Sequence, residues 1–156
     1  MVTHYIHRGL AKKNFKENTL SAFKYSFKKK YGIETDLHAT KDNKLICFHD
    51  FDLRSKFKLN KKIKDINYFD LKRISKKKKA EIPLLENLLK ISKNRYPLLL
   101  EIKPLFKKEN LSHLVKLVKK TKKYGIISFK ENINSFKIKS KLLSKILFSA
   151  VLKELL

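Results

Sequence analysis

Short apolar runs alternate with amphipathic segments along this chain, and this alternation constrains its fold more than any other feature. The apolar runs predict strands over residues 2–6, 32–40, 44–50, 96–104, 126–130 and 145–151. The amphipathic segments predict helices over residues 17–29, 82–93, 111–125 and 132–143, with a short helical turn over 68–74. Strands that alternate with helices are typical of a parallel sheet, so we expect an α/β fold.

The segments between these elements predict turns and loops. Residues 41–44 have turn chemistry, and the lysine-rich stretch up to about residue 66 predicts a polar loop. The four consecutive lysines at 76–79 predict a further solvated loop. With 156 residues, of which 42% are hydrophobic, the chain can build one core but not two, so we expect a single domain over residues 1–156.

The chain is strongly basic, with 39 Lys and Arg against 14 Asp and Glu and a formal net charge of +25. Such a charge is typical of proteins that bind polyanions. Only four of the 39 residues are arginine, however, and nucleic-acid recognition depends on the guanidinium group. The lysines accompany many Ile, Asn and Phe residues, a bias typical of AT-rich genomes. We therefore expect the charge to steer small anionic substrates, and we do not expect nucleic acid as the partner.

Cysteine usage and hydropathy indicate the cellular compartment in which the protein resides. Cys47 is the only cysteine, which excludes an intramolecular disulfide and a cysteine zinc cluster. The N-terminus lacks the basic and apolar regions of a signal peptide. The apolar stretch 142–156 is interrupted by Lys145 and Lys153 and is shorter than the roughly 20 residues of a membrane span. These features predict a soluble, cytoplasmic protein without a transmembrane segment.

Three carboxylates lie on predicted strands. Glu34 and Asp36 are two residues apart, so their side chains share one face near a strand end, where paired carboxylates suit a hard cation. From this pair alone, an exposed strand face is the favoured interpretation. Glu101 stands at the end of the most apolar strand, where an unpaired charge is costly to bury. It could serve a site at the strand end or form an ion pair with Lys103.

Two histidines end predicted strands and precede charged residues, as His7-Arg8 and His49-Asp50. Histidines in such positions can act as general acid and general base near neutral pH, and an arginine beside them can hold a phosphate. Gly9 permits a backbone turn and the close approach of a substrate. The other histidines, His4, His38 and His113, fit no such pattern and are interpreted as structural or surface residues.

An ordered set of motifs from residue 6 to about 104 resembles the glycerophosphodiester phosphodiesterase family. Any one of them is weak, but the set is specific in order and spacing. The motifs are HRG (7–9), ENT with a following AF (17–19, 22–23), GIETD (32–36), TKD (40–42), FHD with Leu53-Arg54 (48–50), IPLLENLL (82–89) and LEIK (100–103). Two departures from the family pattern are Lys16, where relatives usually have proline, and a short lysine-rich segment after Asp50.

The resemblance implies a TIM barrel and metal-dependent hydrolysis of glycerophosphodiesters to sn-glycerol 3-phosphate and an alcohol. It makes His7 and His49 the catalytic acid/base pair. It makes one divalent cation, Mg²⁺ or Ca²⁺, the cofactor. The implied metal ligands are Glu34, Asp36 and Glu101, and the expected contacts to the substrate phosphate are Arg8 and Lys103. The partner is then a small-molecule glycerophosphodiester.

The length of the chain departs from this family. A complete barrel needs about 250 residues, and the sequence accounts for only about four or five of the eight βα units. We therefore expect an incomplete barrel that lacks its C-terminal part. Self-association is one way to cover the open sheet edges. An alternative is an inactive remnant whose lysine-rich surface binds anionic lipid or nucleic acid. A third possibility is that the chain is a related barrel phosphodiesterase that acts on phospholipids.

Overall fold

A computed structural model describes residues 4–14 and 16–128, and in these residues one sheet of five strands forms. The strands are β1 (Tyr5–His7), β2 (Gly32–Ala39), β3 (Leu45–Cys47), β4 (Leu98–Ile102) and β5 (Tyr124–Ser128). Strands β1, β2, β4 and β5 are parallel and adjacent in that order. The predicted α/β class and parallel sheet are confirmed for these four strands.

Five helices connect or follow the strands. They are α1 (Leu20–Lys28), α2 (Arg54–Phe57), α3 (Tyr68–Lys77), α4 (Leu85–Ser92) and α5 (Lys108–Val118), with a 3₁₀ turn at Ile63–Asp65. Thr19 is the N-cap of helix α1, and its hydroxyl accepts a hydrogen bond from the backbone N–H of Ala22 at 3.2 Å. Helices α1, α4 and α5 bury their apolar faces against the sheet.

Strand β3 is the exception to the parallel arrangement, because it runs antiparallel to β2. The tight turn predicted at residues 41–44 explains this difference. A connection this short can reverse the chain, whereas a parallel pair needs a long crossover. β3 and β1 lie on the same edge of β2, since β1 pairs with residues 32–34, β3 pairs with residues 37–39, and β4 occupies the other edge.

This pairing brings two chain segments together at the middle of β2. The backbone N–H of Arg8, just after β1, donates to the carbonyl of Glu34 at 2.9 Å. The N–H of Phe48, just after β3, donates to the carbonyl of Asp36 at 3.0 Å. His7 precedes the first of these bonds and His49 follows the second, so both histidines are held beside the same two carboxylate residues.

Two other predictions are wrong in their boundaries. The lysine run at 76–79 was predicted as a loop, but α3 continues through Lys77, because its buried Leu71 and Ser75 lie one turn apart on its inner face. The stretch up to residue 66 contains α2 and the 3₁₀ turn. Its apolar side chains form a second, smaller core cluster with members of β3 and α3: Ile46, Phe48, Leu53, Phe57, Ile63, Ile66, Leu71 and Ile82.

Some predictions fall outside the described residues, namely the helix at 132–143 and the strand at 145–151. Within residues 4–14 and 16–128, no helix is long and apolar enough to cross a membrane.

Candidate active site

Three carboxylates meet on one face of the sheet. Glu34 and Asp36 alternate along β2 with one intervening residue, and Glu101 on β4 is the register partner of Asp36. Each of the three offers an oxygen atom, and these atoms all lie within 4.8 Å of one another. Asp36 is fully buried and the Glu34 side chain is only 12% exposed, so the exposed strand face favoured from sequence for this pair is wrong.

Two cations partly neutralise this carboxylate cluster. Lys103 Nζ lies 2.8 Å from Glu101 Oε2 and 3.2 Å from Asp36 Oδ1, so the ion pair considered from sequence does form. Arg8 Nε lies 3.1 Å from Asp36 Oδ2, and its Nη1 donates to Glu17 at 3.0 Å. Asp36 Oδ1 and Arg8 Nε lack a hydrogen bond of good geometry despite these short ion-pair distances. The cluster is therefore crowded with charge but imperfectly satisfied.

The pKa of Glu34 reflects its burial beside other carboxylates. Burial, followed by the nearby charge of Asp36, raises the pKa of this carboxyl from 4.5 to about 7. A divalent cation would favour the ionised form of all three side chains. The carboxylates of Glu34, Asp36 and Glu101 thus have the oxygen chemistry and the unbalanced charge that a hard cation requires.

Asn18 holds the buried end of this cluster in place. Its φ of 52° places it in the left-handed region, which asparagine tolerates better than most residues. Its side-chain amide donates to Asp36 Oδ2 at 3.2 Å, and its amide oxygen accepts from the Thr35 hydroxyl at 2.6 Å. In the sequence, Asn18 stands out only as part of the ENT motif at 17–19. Thr19 is the cap, which leaves the Asn18 side chain free to reach β2.

The two predicted acid/base histidines flank the carboxylates. His7 Nε2 lies 3.9 Å from Glu34 Oε2, and its side chain is 68% exposed. His49 Nδ1 donates to Asp50 Oδ1 at 2.8 Å, and Asp50 in turn accepts from the Ser55 hydroxyl. Asp50 occupies Nδ1 of His49, and the His49 side chain is 41% exposed. Both rings are thus reachable by a small molecule.

His38 is a functional candidate that sequence analysis assigned to structure or surface. It is buried, and its Nε2 donates to the backbone carbonyl of His49 at 3.0 Å. Its ring also packs edge-on against Phe51 at 5.1 Å between centroids. Burial lowers the pKa of His38 to about 4, so the ring stays neutral and keeps the proton that this bond needs. The signal in the sequence is its two-residue spacing from Asp36.

The turn at Arg8-Gly9 aims the arginine at the carboxylates. Arg8 and Gly9 have φ values of 54° and 75°, both in the left-handed region. A Cβ on Gly9 would lie 2.9 Å from Phe23 Cδ1 and 3.2 Å from Ala22 Cβ. The turn expected at Gly9 is therefore present, and the group that approaches it closely is helix α1. The approach of a substrate to Gly9 stays a prediction.

The sequence matches the glycerophosphoryl diester phosphodiesterase family over residues 7–149, which is most of the chain. The chain belongs to this family. A glycerophosphodiester phosphodiesterase of Bacillus altitudinis is 33% identical over 110 residues, which are 65% of this chain and 44% of the relative. Lysophospholipase D GDPD1 of Homo sapiens is 38% identical over 69 residues, which are 44% of this chain and 22% of that protein.

Solved glycerophosphodiester phosphodiesterases have the same fold. The enzyme of Thermotoga maritima is 27% identical with a TM-score of 0.78, and the likeness covers 95% of this chain and 62% of that one. A phosphodiesterase of Oleispira antarctica, solved with its product sn-glycerol-3-phosphate, has a TM-score of 0.76 at 21% identity. That likeness covers 99% of this chain and 71% of the other. The TIM-barrel type predicted for this family member is confirmed.

The family member described here is shorter than the proteins it matches. It spans under half of the Bacillus relative and about three fifths of the Thermotoga enzyme. The residues predicted as metal ligands, acid/base groups and phosphate contacts all lie within residues 7–103 and gather at one end of the sheet. Their individual roles stay predictions.

Proposed function

We propose that this chain is a metal-dependent phosphodiesterase that hydrolyses glycerophosphodiesters to sn-glycerol 3-phosphate and an alcohol. The observation that carries the proposal is the carboxylate cluster, whose oxygens lie within 4.8 Å of one another beside His7. Membership of the glycerophosphoryl diester phosphodiesterase family supports the reaction class. The product named for the Oleispira structure supports a glycerol phosphate as the product here.

The metal ligands in this proposal are Glu34, Asp36 and Glu101. Three carboxylates suit Mg²⁺ or Ca²⁺, and burial, followed by the charge of Asp36, raises the pKa of Glu34 to about 7. When bound, the cation supplies positive charge that stabilises the negative charge on the phosphoryl oxygens. Asn18 and Lys103 orient the carboxylates of Asp36 and Glu101 for this task.

The two histidines move the protons. One takes a proton from the attacking hydroxyl, and the other protonates the oxygen of the leaving alcohol. His49 is oriented for this role by Asp50 on its Nδ1 and by His38 on its backbone carbonyl. His7 instead lies beside Glu34, with 3.9 Å between His7 Nε2 and Glu34 Oε2. His7 and His49 therefore sit in different surroundings, as an acid and a base require.

Arg8 and Lys103 bind the substrate phosphate in this proposal. Both already contact the carboxylate cluster, at 3.1 Å and 2.8 Å respectively, so their positive charges are near the phosphodiester position. The Arg8 guanidinium is fixed from two sides by Asp36 and Glu17. A fixed guanidinium can form two hydrogen bonds to a phosphate without losing further freedom.

Release of glycerol 3-phosphate from glycerophosphocholine and glycerophosphoethanolamine tests this function. We expect turnover by the purified chain that stops in EDTA and returns with Mg²⁺ or Ca²⁺. His7→Ala and Glu34→Gln should each abolish turnover while circular dichroism stays unchanged, whereas Glu109→Gln, on the exposed face of α5, should not affect it. Turnover in EDTA, or full activity of the His7 or Glu34 variant, would contradict the proposal.

A lysophospholipid is a second candidate substrate, because the matched human relative is a lysophospholipase D. The same carboxylates and histidines would serve that reaction, since the bond broken is again a phosphodiester. Comparing glycerophosphocholine with lysophosphatidylcholine, at equal concentration below the micelle threshold, separates the two. Faster release of choline from the lysolipid would favour this second substrate.

A further inference from the structure

A lysine-lined cavity opens beside the candidate active site. Its volume is about 390 Å³. Its walls come from the segment between β1 and α1, from α2, and from the segment after α3. The charged residues that line it are Lys13, Lys16, Lys56, Lys78, Lys79 and Glu81. Five ammonium groups thus face one carboxylate, which makes the cavity strongly positive.

Lys56 is the half-buried member of this lysine-lined cavity. Its Nζ lies 5.4 Å from the centroid of the Phe48 ring, and burial, followed by the charge of Lys16, lowers its pKa. Among the described residues, no carboxylate forms an ion pair with it, although Asp50 and Glu17 are near enough to affect it. A partly buried ammonium without a paired anion is costly unless a ligand supplies the anion.

Glu81 offsets only part of the positive charge of the cavity. Its carboxylate accepts a hydrogen bond from the backbone N–H of Leu20 at 2.9 Å, in the first turn of α1. There it satisfies one of the free N–H groups of the helix start. One carboxylate against five ammonium groups leaves the cavity with excess positive charge that is available to a ligand.

The cavity is continuous with the loops that hold the candidate active site. Lys16 precedes Glu17, which pairs with Arg8 at 3.0 Å. Lys56 follows Ser55 in α2, and the Ser55 hydroxyl bonds to Asp50, the partner of His49. Lys56 is also near enough to Asp50 and Glu17 for their charges to affect it, which places the cavity next to the loops that carry His49 and contact Arg8.

We propose that this cavity is the subsite for the alcohol portion of the substrate and selects alcohols that carry a phosphate monoester. This inference rests on the proposed phosphodiesterase function. Several ammonium groups around a small concavity suit a compact multivalent anion, since lysine binds phosphate as a point charge. A flat anionic membrane would reach the rim of the cavity but not Lys56, which is half-buried within it.

Two ligands that differ by one phosphate test this inference: glycerophosphoinositol and glycerophosphoinositol 4-phosphate. Their binding to the chain is measured by calorimetry in EDTA, where no turnover is expected. The monophosphorylated ligand should bind at least about tenfold more tightly. Lys56→Gln should remove most of that difference, whereas Lys90→Gln, on the exposed face of α4, should leave it unchanged.

Equal affinity for both ligands, or loss of affinity in both variants alike, would overturn the subsite. Binding only to vesicles that contain phosphatidylinositol 4-phosphate, and not to the soluble ligand, would also overturn it in favour of a membrane surface. Turnover assays with metal separate this inference from the proposed function. Turnover without any preference refutes the subsite alone, whereas preferential binding without turnover of either substrate refutes the phosphodiesterase function and leaves the anion site standing.

Discussion

His38 links strand β2 to His49, the histidine that follows β3. The bond from its Nε2 to the His49 carbonyl is 3.0 Å long, and the ring itself is buried away from any substrate. It is therefore a positioning residue in this account. Its effect on the reaction passes through the place of His49, which is fixed on its other side by Asp50.

Replacing His38 should lower kcat more than it changes KM. In His38→Ala the His49 carbonyl loses its donor, and a small displacement of an acid/base group can cost on the order of tenfold or more in rate. His38→Gln should recover part of the loss, because its amide can donate to the same carbonyl. Steady-state kinetics on glycerophosphoethanolamine measure both constants. Equal kcat in the wild type and a folded Ala variant would contradict this role.

His38 should also make stability depend on pH. Its folded pKa of about 4 lies below the ordinary value of 6.5, so the unfolded chain binds a proton that the folded chain refuses. The contribution of neutral His38 to the free energy of unfolding is complete above pH 6.5 and is lost as the pH falls toward 4. The loss amounts to at most about 3.5 kcal/mol, at about 1.4 kcal/mol per pKa unit.

Urea unfolding of the wild type and of His38→Gln between pH 4 and pH 8 measures this contribution. The free energy of unfolding of the wild type should fall more steeply below pH 6.5 than that of the variant. Parallel curves would show that the ring titrates normally in the folded protein.

The contact between the Arg8-Gly9 turn and helix α1 sets the position of the whole first βα unit. Gly9→Ala would force a side chain into the left-handed region and against Phe23, with Cβ 2.9 Å from its ring. We expect a loss of about 1–3 kcal/mol in the free energy of unfolding. Urea denaturation measures it. The exposed Lys24→Ala on the same helix is the control, with an expected change within about 0.5 kcal/mol.

A Gly9→Ala protein as stable as the wild type would mean that the turn and the helix can separate at no cost. In that case the turn would not be needed to orient Arg8 toward Asp36. The ion pair of Arg8 with Glu17 would then be the contact that keeps Arg8 3.1 Å from Asp36.

The parts of the site that follow strand periodicity could be predicted from the sequence. Glu34 and Asp36 share a face because alternate residues of any strand do, and Glu101 joins them because parallel strand ends meet at one edge. His38 shares that face through its two-residue spacing from Asp36, but its bond to the His49 carbonyl could not be predicted in this way, and neither could the contacts of Asn18. These bonds depend on the paths of loops that return to β2, and such paths are set by tertiary packing that a local pattern does not encode.

The differences between the predicted and observed strands and helices have the same cause, because local sequence patterns do not encode tertiary packing. The turn at residues 41–44 does not by itself determine whether the next strand joins the sheet. In the structure β3 does join it, antiparallel to β2. The lysines at 76–77 extend a helix because Leu71 and Ser75 anchor its inner face, although the local composition indicated a loop. The second core cluster formed by the segment up to residue 66 was likewise hidden by its many lysines.

The molecule as a whole combines a strongly positive surface with a negative site. The net charge of +25 surrounds a cluster of three carboxylates, two of which are paired with Lys103 or Arg8. In the proposed function, long-range attraction would bring an anionic diester to this surface, and a divalent cation would complete the charge balance at the site. Self-association of the chain stays a prediction.

Titration of the purified chain with Mg²⁺ or Ca²⁺ in a calorimeter shows whether the three carboxylates hold a cation in the absence of substrate. We expect one ion per chain for the wild type and for Glu109→Gln, and loss of binding in Glu101→Gln with the fold retained. Failure of the folded wild type to bind either ion, or binding by Glu101→Gln as tight as that of the wild type, would contradict this expectation.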